Sequence, residues 1–384
     1  MHTVCHIITK LELGGAQQNT LFTVSHLDEA RFRRVLVTGE PGMLDQEAEA
    51  MPEVEFYRVP SLVREIHPVK DCRAVWELFR LLKRVKPTIV HTHSSKAGIV
   101  GRLAARWAGV PIVIHSVHGF GFTPYQPSVY RRLLVWAERQ AARCTTRFIA
   151  VSEANRRQGV ELNLFAPDQC TVIRSGVDLD AFRHTRVDVA RKKQELGLDP
   201  ARPVIGTIAP LKPQKAPVDF VRVAAAVRRH RPDAQFVMVG DGELRAAVER
   251  ARASLGLTGA LHLLGWRRDV AELHRCFDVF ALTSLWEGLP RVYLEALASG
   301  VPVVGTRVDG AEEVVRDGVN GYLLDPGNID GLALRIVQIL SAPDRYRDER
   351  GSLLSKEFDI WEMVRQQETE YEALIASLHP PCAA

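Results

Sequence analysis

Short runs of β-branched and apolar residues alternate with longer stretches in which apolar positions recur every three to four residues, and this rhythm continues along most of the chain. In the first half the short runs predict strands at Val4–Ile8, Arg34–Thr38, Val54–Arg58, Thr88–His91, Ile112–Ser116, Arg147–Ala150 and Cys170–Ile173. Helical periodicity lies between them at Ala16–Leu27, Val69–Val85, Lys96–Ala108 and Ser128–Ala142. Continuous apolar strands separated by helices predict βα units and a parallel sheet covered on both faces. After Gly197-Leu198-Asp199-Pro200-Ala201-Arg202-Pro203, a link without apolar period, the pattern restarts. Its strands are Val204–Ile208, Gln235–Val239, Leu261–Leu264, Val279–Leu282, Pro302–Thr306 and Gly321–Leu323. Its helices include Pro217–Arg229, Gly242–Ser254, Val270–Cys276 and Pro290–Ala298. The expected fold class is α/β, with two doubly wound domains at 1–200 and 201–358.

Composition narrows the class without naming a function. The chain has 384 residues, 46% apolar and 25% charged, enough for two full cores. Lys and Arg number 50 against 46 Asp and Glu, a net +4 that is too balanced to suggest nucleic acid as a partner. No apolar run reaches the roughly 18 residues of a membrane span. The first residues lack the basic flank and cleavage site of a secretory leader, and the six cysteines show no CxxC spacing. A cytoplasmic location is the expectation. Charge is uneven, however: residues 61–160 carry 17 basic and 5 acidic side chains. That window suits solvated helix faces, or a surface that meets anionic headgroups at the cytoplasmic face of a membrane. Within it, Phe120, Phe122, Tyr125 and Tyr130 precede Arg131 and Arg132.

Ligands in such sheets bind where a strand's carboxyl end turns into a helix. Gly14-Gly15-Ala16 occupies one such turn, where glycines admit close backbone approach and the helix N-terminus attracts phosphate. His118, followed by Gly119, sits at a second and can hydrogen-bond a ligand hydroxyl. His91 and His93 form an HxH pair, but no nearby Cys, Asp or Glu completes a tetrahedral metal set, so no metal is expected. Gly240-Asp241-Gly242 invites a nicotinamide reading, yet Arg245 replaces the third glycine, and a close-packing turn is preferred. In Glu287-Gly288-Leu289-Pro290-Arg291, followed by Glu295, two carboxylates flank a helix start that can seat a phosphate. That set suits a nucleoside diphosphate bearing a polyhydroxylated group.

The Glu287-x7-Glu295 spacing and the Ser299-Gly300-Val301-Pro302 that follows resemble family 4 of the retaining glycosyltransferases. Matches in the family's order include Gly14-Gly15-Ala16, His118-Gly119, Ser175-Gly176-Val177-Asp178, Gln214-Lys215, Gly240-Asp241-Gly242, Leu264-Gly265-Trp266, and Gly310 with Glu313. The resemblance spans residues 3 to about 330 and implies a GT-B fold, two Rossmann-like domains facing across a cleft. A C-terminal helix at Asp359–Leu378 would cross back to complete the first domain, extending it with residues 359–384. It implies transfer of a sugar from a nucleotide-sugar donor to a glycan or lipid-linked acceptor, with no metal or other cofactor. Asp178-Leu179-Asp180 would then be structural rather than a metal-binding DxD.

By the same resemblance, Glu295 binds the donor ribose, Glu287 a sugar hydroxyl, and His118 the transferred sugar. Lys215, the Gly15 amide and the N–H groups in the turn of Gly288, Leu289, Pro290 and Arg291 oppose the diphosphate charge, with Gly14 shaping the first turn. Proline itself contributes no N–H. One departure stands out: the family's Arg five residues before the phosphate Lys is Pro210 here, leaving Lys212 as a substitute cation. A sugar-nucleotide epimerase or hydrolase, or a catalytically inactive nucleotide-sugar-binding protein, are the alternatives.

Overall fold

The structure is a computed structural model that describes residues 1–346 and 354–378. Residues 347–353 and 379–384, which belong to the expected 201–358 and 359–384 spans, lie outside the described residues, and Cys382 with them.

The chain divides into two compact units, Met1–Gly176 together with Ile360 onward, and Val177–Asp359. The first contains β1 (His2–Ile7), α1 (Gly15–His26), β2 (Phe32–Thr38), α2 (Asp45–Glu49), β3 (Val54–Arg58) and α3 (Pro68–Val85). There follow β4 (Ile89–His93), α4 (Ser95–Ala108), β5 (Ile112–Val117), α5 (Ser128–Ala142), β6 (Arg147–Ala150), α6 (Glu153–Glu161) and β7 (Cys170–Val172). Among the described residues its sheet has seven parallel strands in the order β3-β2-β1-β4-β5-β6-β7. The order reverses between β1 and β4, which is where loops from neighbouring strands diverge and leave a binding crevice.

The second unit contains α7 (Leu179–His184), α8 (Val189–Glu195), β8 (Val204–Ile208), α9 (Pro217–His230), β9 (Gln235–Val239), α10 (Arg245–Ser254) and β10 (Leu261–Gly265). It continues with α11 (Val270–Arg275), β11 (Val279–Leu282), α12 (Arg291–Ala298), β12 (Val303–Thr306), β13 (Gly321–Leu324) and α13 (Ile329–Ser341). Among the described residues its six parallel strands run β10-β9-β8-β11-β12-β13, with the reversal between β8 and β11.

The division falls at Gly176, ahead of the Gly- and Pro-bearing link near residue 200. The cause is packing: Leu179 on α7 is buried, and Lys192 on α8 binds Asp269 at 2.6 Å. Helices α7 and α8 therefore belong to the second core, and the link runs inside it. Asp178 caps α7 by accepting from the Ala181 N–H at 2.9 Å, which gives the DxD tripeptide a structural job.

The last helix, α14 (Ile360–Leu378), returns to the first unit. It buries Ile360, Met363, Val364, Gln367, Tyr371 and Leu374, a stripe at three- and four-residue spacing. The stripe packs on Val4, Leu27, Phe32, Ile89 and Ile112. Arg31 binds Glu368 at 2.6 Å and Glu372 at 2.8 Å, pinning the helix by its polar edge.

Candidate functional site

In the second unit three strand ends are stitched together by their own loops. The β8 loop makes a short turn over Pro213–Lys215 and then places Ala216 in the left-handed region at φ 41°. A side chain at such φ costs of order 1 kcal/mol and persists only when neighbours hold it. Here Thr283 Oγ1 reaches the carbonyls of Lys215 and Ala216 at 3.2 and 3.0 Å. Leu285 N–H donates to Gln214 O at 2.8 Å, and the Gln214 amide donates to Trp286 O at 3.0 Å. These bonds tie the β8 loop to the β11 loop and set Lys215 beside Glu287.

Lys215 Nζ forms an ion pair with Glu287 Oε1, and both side chains are largely buried. The same oxygen accepts from Ser284 Oγ at 2.6 Å. Glu287 N–H donates to Asp309 Oδ2 at 3.0 Å, and Gly310 N–H donates to Gly288 O at 3.1 Å, which brings in the β12 loop. Asp309 is exposed as a residue, but its carboxyl is pushed up to about 6, mainly by burial and further by Glu287, against the Glu287 N–H bond.

Helix α12 begins directly after this loop, with Pro290 as its N-cap residue. Pro290 therefore sits one position ahead of the first turn, and Glu295 lies one turn into the helix. The helix dipole places partial positive charge at the Arg291 end. Glu295 is buried, with Oε2 3.8 Å from His274 Nε2 and Oε1 4.0 Å from Arg291 Nη2. Both distances are longer than a hydrogen bond. Burial works to raise the Glu295 carboxyl, but His274 and Arg291 outweigh it and hold the group below the usual carboxylate range. His274, fully buried behind the carboxylate, escapes the sequence reading, since nothing local distinguishes it.

Pro210 and Lys212 lie on the β8 loop. Leu211 between them donates to Asp241 O and accepts from Leu244 N–H, both at 2.9 Å. A Cβ at Gly240 (φ 121°) would lie 2.0 Å from Ala209 O, and one at Gly242 would lie 2.7 Å from Leu211 O. The GxG turn is thus a close-packing device for the β8 loop. Lys212 is half-buried.

In the first unit, Gly14 is the N-cap of α1 in extended backbone and Gly15 its first residue. His118 follows β5, half-buried, with Nε2 3.1 Å from His93 Nδ1. Behind it, His6 Nδ1 meets His93 Nε2 at 2.9 Å. Nitrogens of His6, His91 and His93 all lie within 4.8 Å of one another. The third imidazole near the HxH pair is therefore His6 from the adjacent strand, a partner that spacing could not reveal. All three rings are buried and stay neutral: His6 is pushed down to about 3 by burial, and His91 and His93 lie well below their usual value.

The basic window is partly spent inside the fold. Arg102 is fully buried and binds Glu138 at 2.5 Å, Lys96 binds Asp71 at 2.5 Å, and Arg147 binds Glu370 at 2.7 Å. Phe122 is buried and stacks on Phe120, so half of the aromatic cluster belongs to the core. Tyr125 and Tyr130 are exposed, and α5 extends the apolar surface with Val129, Leu133 and Trp136, exposed by 73, 54 and 58%. Among the described residues no helix is long and apolar enough to cross a membrane.

Residues 13–181 match the family described as Glycosyltransferase Family 4, and residues 188–351 match Glycosyl transferases group 1. The chain is 35% identical over 339 residues to UDP-Gal:alpha-D-GlcNAc-diphosphoundecaprenol alpha-1,3-galactosyltransferase of Escherichia coli, covering 88% of this chain and 87% of that one. It is 34% identical over 271 residues to D-inositol 3-phosphate glycosyltransferase of Mycobacterium sp. (strain JLS), covering 66% of this chain and 59% of the relative. Among solved structures, Anabaena HepE in complex with UDP-glucose superposes with a TM-score of 0.83 at 22% identity, covering 97% of this chain and 100% of that one. Sucrose-phosphate synthase from Thermosynechococcus elongatus gives 0.86 at 18% identity, covering 98 and 100%. Two Rossmann-like parallel-sheet domains in one chain, shared with these neighbours, make the fold GT-B. The chain belongs to family 4 of the glycosyltransferases.

Proposed function

We propose that this glycosyltransferase is retaining and metal-independent, and moves a sugar from a uridine-diphosphate donor to a lipid-diphosphate-linked glycan in surface polysaccharide or glycolipid synthesis. The observation that carries the reading is the junction of the β8, β11 and β12 loops, which gathers Lys215, Glu287 and the start of α12 in one place. Glu295 takes the donor ribose and Glu287 a hydroxyl of the sugar. Lys215, with Lys212 and the N–H groups around Gly288, Leu289 and Arg291, opposes the diphosphate charge. Pro290 keeps the helix start open, because it carries no N–H and cannot extend the helix backwards. From the first unit, His118 serves the transferred sugar, and the Gly14-Gly15 turn the diphosphate. Departure of the nucleotide builds negative charge on its terminal phosphate, so preorganised cations and N–H groups there are the main catalytic term.

The relative named for a UDP-Gal donor and a diphosphoundecaprenol-linked acceptor supports both substrate classes. The exposed apolar residues of α5, with Arg131 and Arg132 beside them, suit residence on an anionic membrane surface, where a lipid-linked acceptor would be met. Pro210 in place of the family's Arg favours one second reading, a nucleotide-sugar-binding protein without turnover.

The test is transfer by the purified protein from a panel of UDP-, GDP- and ADP-sugars to a polyprenyl-diphosphate N-acetylhexosamine, with and without chelator. Transfer from a UDP-sugar with retained anomeric configuration, unaffected by chelator, is expected. An inverted linkage, or activity that chelator abolishes, refutes the mechanism. Donor binding without transfer to any acceptor selects the second reading.

A further inference from the structure

His118 does not stand alone. It ends a chain of buried polar groups that runs through the first unit to the C-terminal helix. His118 Nε2 meets His93 Nδ1 at 3.1 Å, and His93 Nε2 meets His6 Nδ1 at 2.9 Å. His6 Nε2 lies 3.5 Å from the Tyr371 hydroxyl, which also faces Gln367 Oε1 at 3.4 Å. Tyr371 Oη meets His91 Nδ1 at 2.6 Å, and His91 Nε2 meets Ser116 Oγ at 2.7 Å. His6, His91 and Tyr371 are entirely buried and His93 nearly so.

The proton positions along this chain can be worked out from its two ends. A neutral imidazole has one N–H and one acceptor nitrogen, so fixing one ring's tautomer fixes that of a ring bonded to it. Burial holds His6, His91 and His93 neutral. The shortest contact is Tyr371 to His91, and a phenol is a stronger acid than a neutral imidazole N–H, so Tyr371 donates there. His91 then carries its proton on Nε2 and donates to Ser116. With its proton used, the Tyr371 oxygen presents lone pairs to His6, whose Nε2 must be the protonated nitrogen. His6 Nδ1 accepts from His93 Nε2–H, and His93 Nδ1 accepts from His118 Nε2–H. The reverse polarity would keep the 2.6 Å contact only by having the weaker acid, a neutral His91 Nδ1–H, donate to the phenol oxygen, and would spend the Tyr371 proton on the 3.4 or 3.5 Å contacts.

We propose that Tyr371, His6 and His93 are positioning residues that hold His118 as the Nε2–H tautomer, fixing the ring's orientation while its buried Nδ1 stays unprotonated. A part for His118 in transfer rests on the proposed function, whereas the tautomer rests on the chain of contacts and on the burial that keeps its rings neutral. It also gives α14 a task beyond covering the sheet: its Tyr371 sets the chemical form of a residue on the β5 loop. Gly98 on α4 keeps the neighbouring space tight, because a Cβ there would lie 2.5 Å from His115 Cε1, and His115 is held by Thr92 Oγ1 at 2.9 Å.

The test is a long-range proton–nitrogen correlation spectrum of the whole protein labelled at histidine nitrogens, with His118 assigned by substitution. A protonated Nε2 and an unprotonated Nδ1 on His118 at pH 7.5 are expected, with the same form on His6 and His93. His118 protonated on Nδ1 overturns the proposal. Tyr371→Phe keeps the buried ring and removes the oxygen, so His118 should become a mixture of tautomers. Should that variant fail to fold, two substitutions at His93 make the same test: His93→Leu should mix the tautomers, whereas His93→Asn, with an acceptor near the place of Nδ1, should restore the single form. An unchanged His118 in both Tyr371→Phe and His93→Leu overturns the relay. In transfer assays, Tyr371→Phe should lower kcat on the order of ten-fold, about the worth of one hydrogen bond, with affinity for UDP alone unchanged. If His118→Ala transfers at the wild-type rate, the role of His118 fails while the tautomer chain stands, so the two ideas are separately refutable.

Discussion

Replacing Lys215 with Met tests whether the ion pair at the centre of the donor-side loops is energetically real. Lys215 and Glu287 have side-chain exposures of only 15 and 8%, so their attraction is little screened by solvent. At an effective dielectric near 20 and contact distance, the Coulomb term is about 5 kcal/mol. Removing the cation leaves a buried carboxylate with Ser284 Oγ as its side-chain donor, and breaking such a pair costs about 3–5 kcal/mol. Glu287→Gln keeps the shape and an oxygen for Ser284 but removes the charge. In that background Lys215→Met should cost only about 1 kcal/mol, giving a coupling of about 2–4 kcal/mol. Because the chain has two compact units, global unfolding would blur the result, and native-state hydrogen exchange of peptides covering β11 to α12 is the right assay. The same Lys215→Met should lower kcat by on the order of 10²–10³, the effect of deleting one preorganised donor to a developing anion. Equal protection losses in the wild-type and Glu287→Gln backgrounds would refute the coupling, and unchanged kcat would remove Lys215 from catalysis.

Other outcomes follow from the same geometry. Glu295→Ala should weaken donor binding by about 1.5–3 kcal/mol in calorimetry, the range for hydrogen bonds to a charged group; unaltered affinity in a folded variant would dismiss Glu295 as the ribose ligand. Lys212→Ala should reduce the single-turnover rate by less than Lys215→Met does, and a wild-type rate would exclude it as the stand-in for the Arg that Pro210 replaces. Anionic vesicles should bind the protein, salt should release it, and Leu133→Glu with Trp136→Glu should abolish binding; equal sedimentation with neutral vesicles would count against the α5 surface. The first unit should be acid-labile: unfolded histidines take up protons below about 6.5, while His6, His91, His93 and His115 resist protonation in the fold. Stability present above that pH is therefore lost as pH falls toward 5, by up to about 1.4 kcal/mol per pH unit per histidine. Exchange protection in β1, β4 and β5 that stays flat from pH 7.5 to 5 would contradict this.

Much of the architecture can be read directly from the residues. The thirteen strands among the described residues lie where the short β-branched and apolar runs predict, because a parallel strand buried on both faces tends to a continuous apolar run whatever its neighbours are. The short helices α2, α6, α7 and α8 are not foreseen, since one or two turns carry little periodicity, although the equally short α11 and α12 are read from the strands and motif beside them. Helix α13 is absent from the sequence reading for a different reason: it lies past the last motif, although its buried Leu332, Ala333, Ile336 and Ile339 do recur at helical spacing. Glu287, Pro290 and Glu295 are recognisable because one loop and the helix after it hold them together.

Contacts across the sheets lie beyond the sequence. Lys215 and Glu287 are 72 positions apart and meet because β8 lies beside β11. His6 and His93 are 87 apart and meet because β1 lies beside β4, which turns an apparently incomplete HxH pair into a relay. Tyr371 reaches His6 across 365 positions only because α14 returns to the first sheet. Sequence determined which segments are strands, which are helices, and which family the motifs resemble, since those properties depend on local composition. Strand order and the path of the returning helix decided which cation neutralises Glu287, which basic residues are consumed inside the fold, and which groups stand behind His118. These are properties of long-range packing, and no local pattern encodes them.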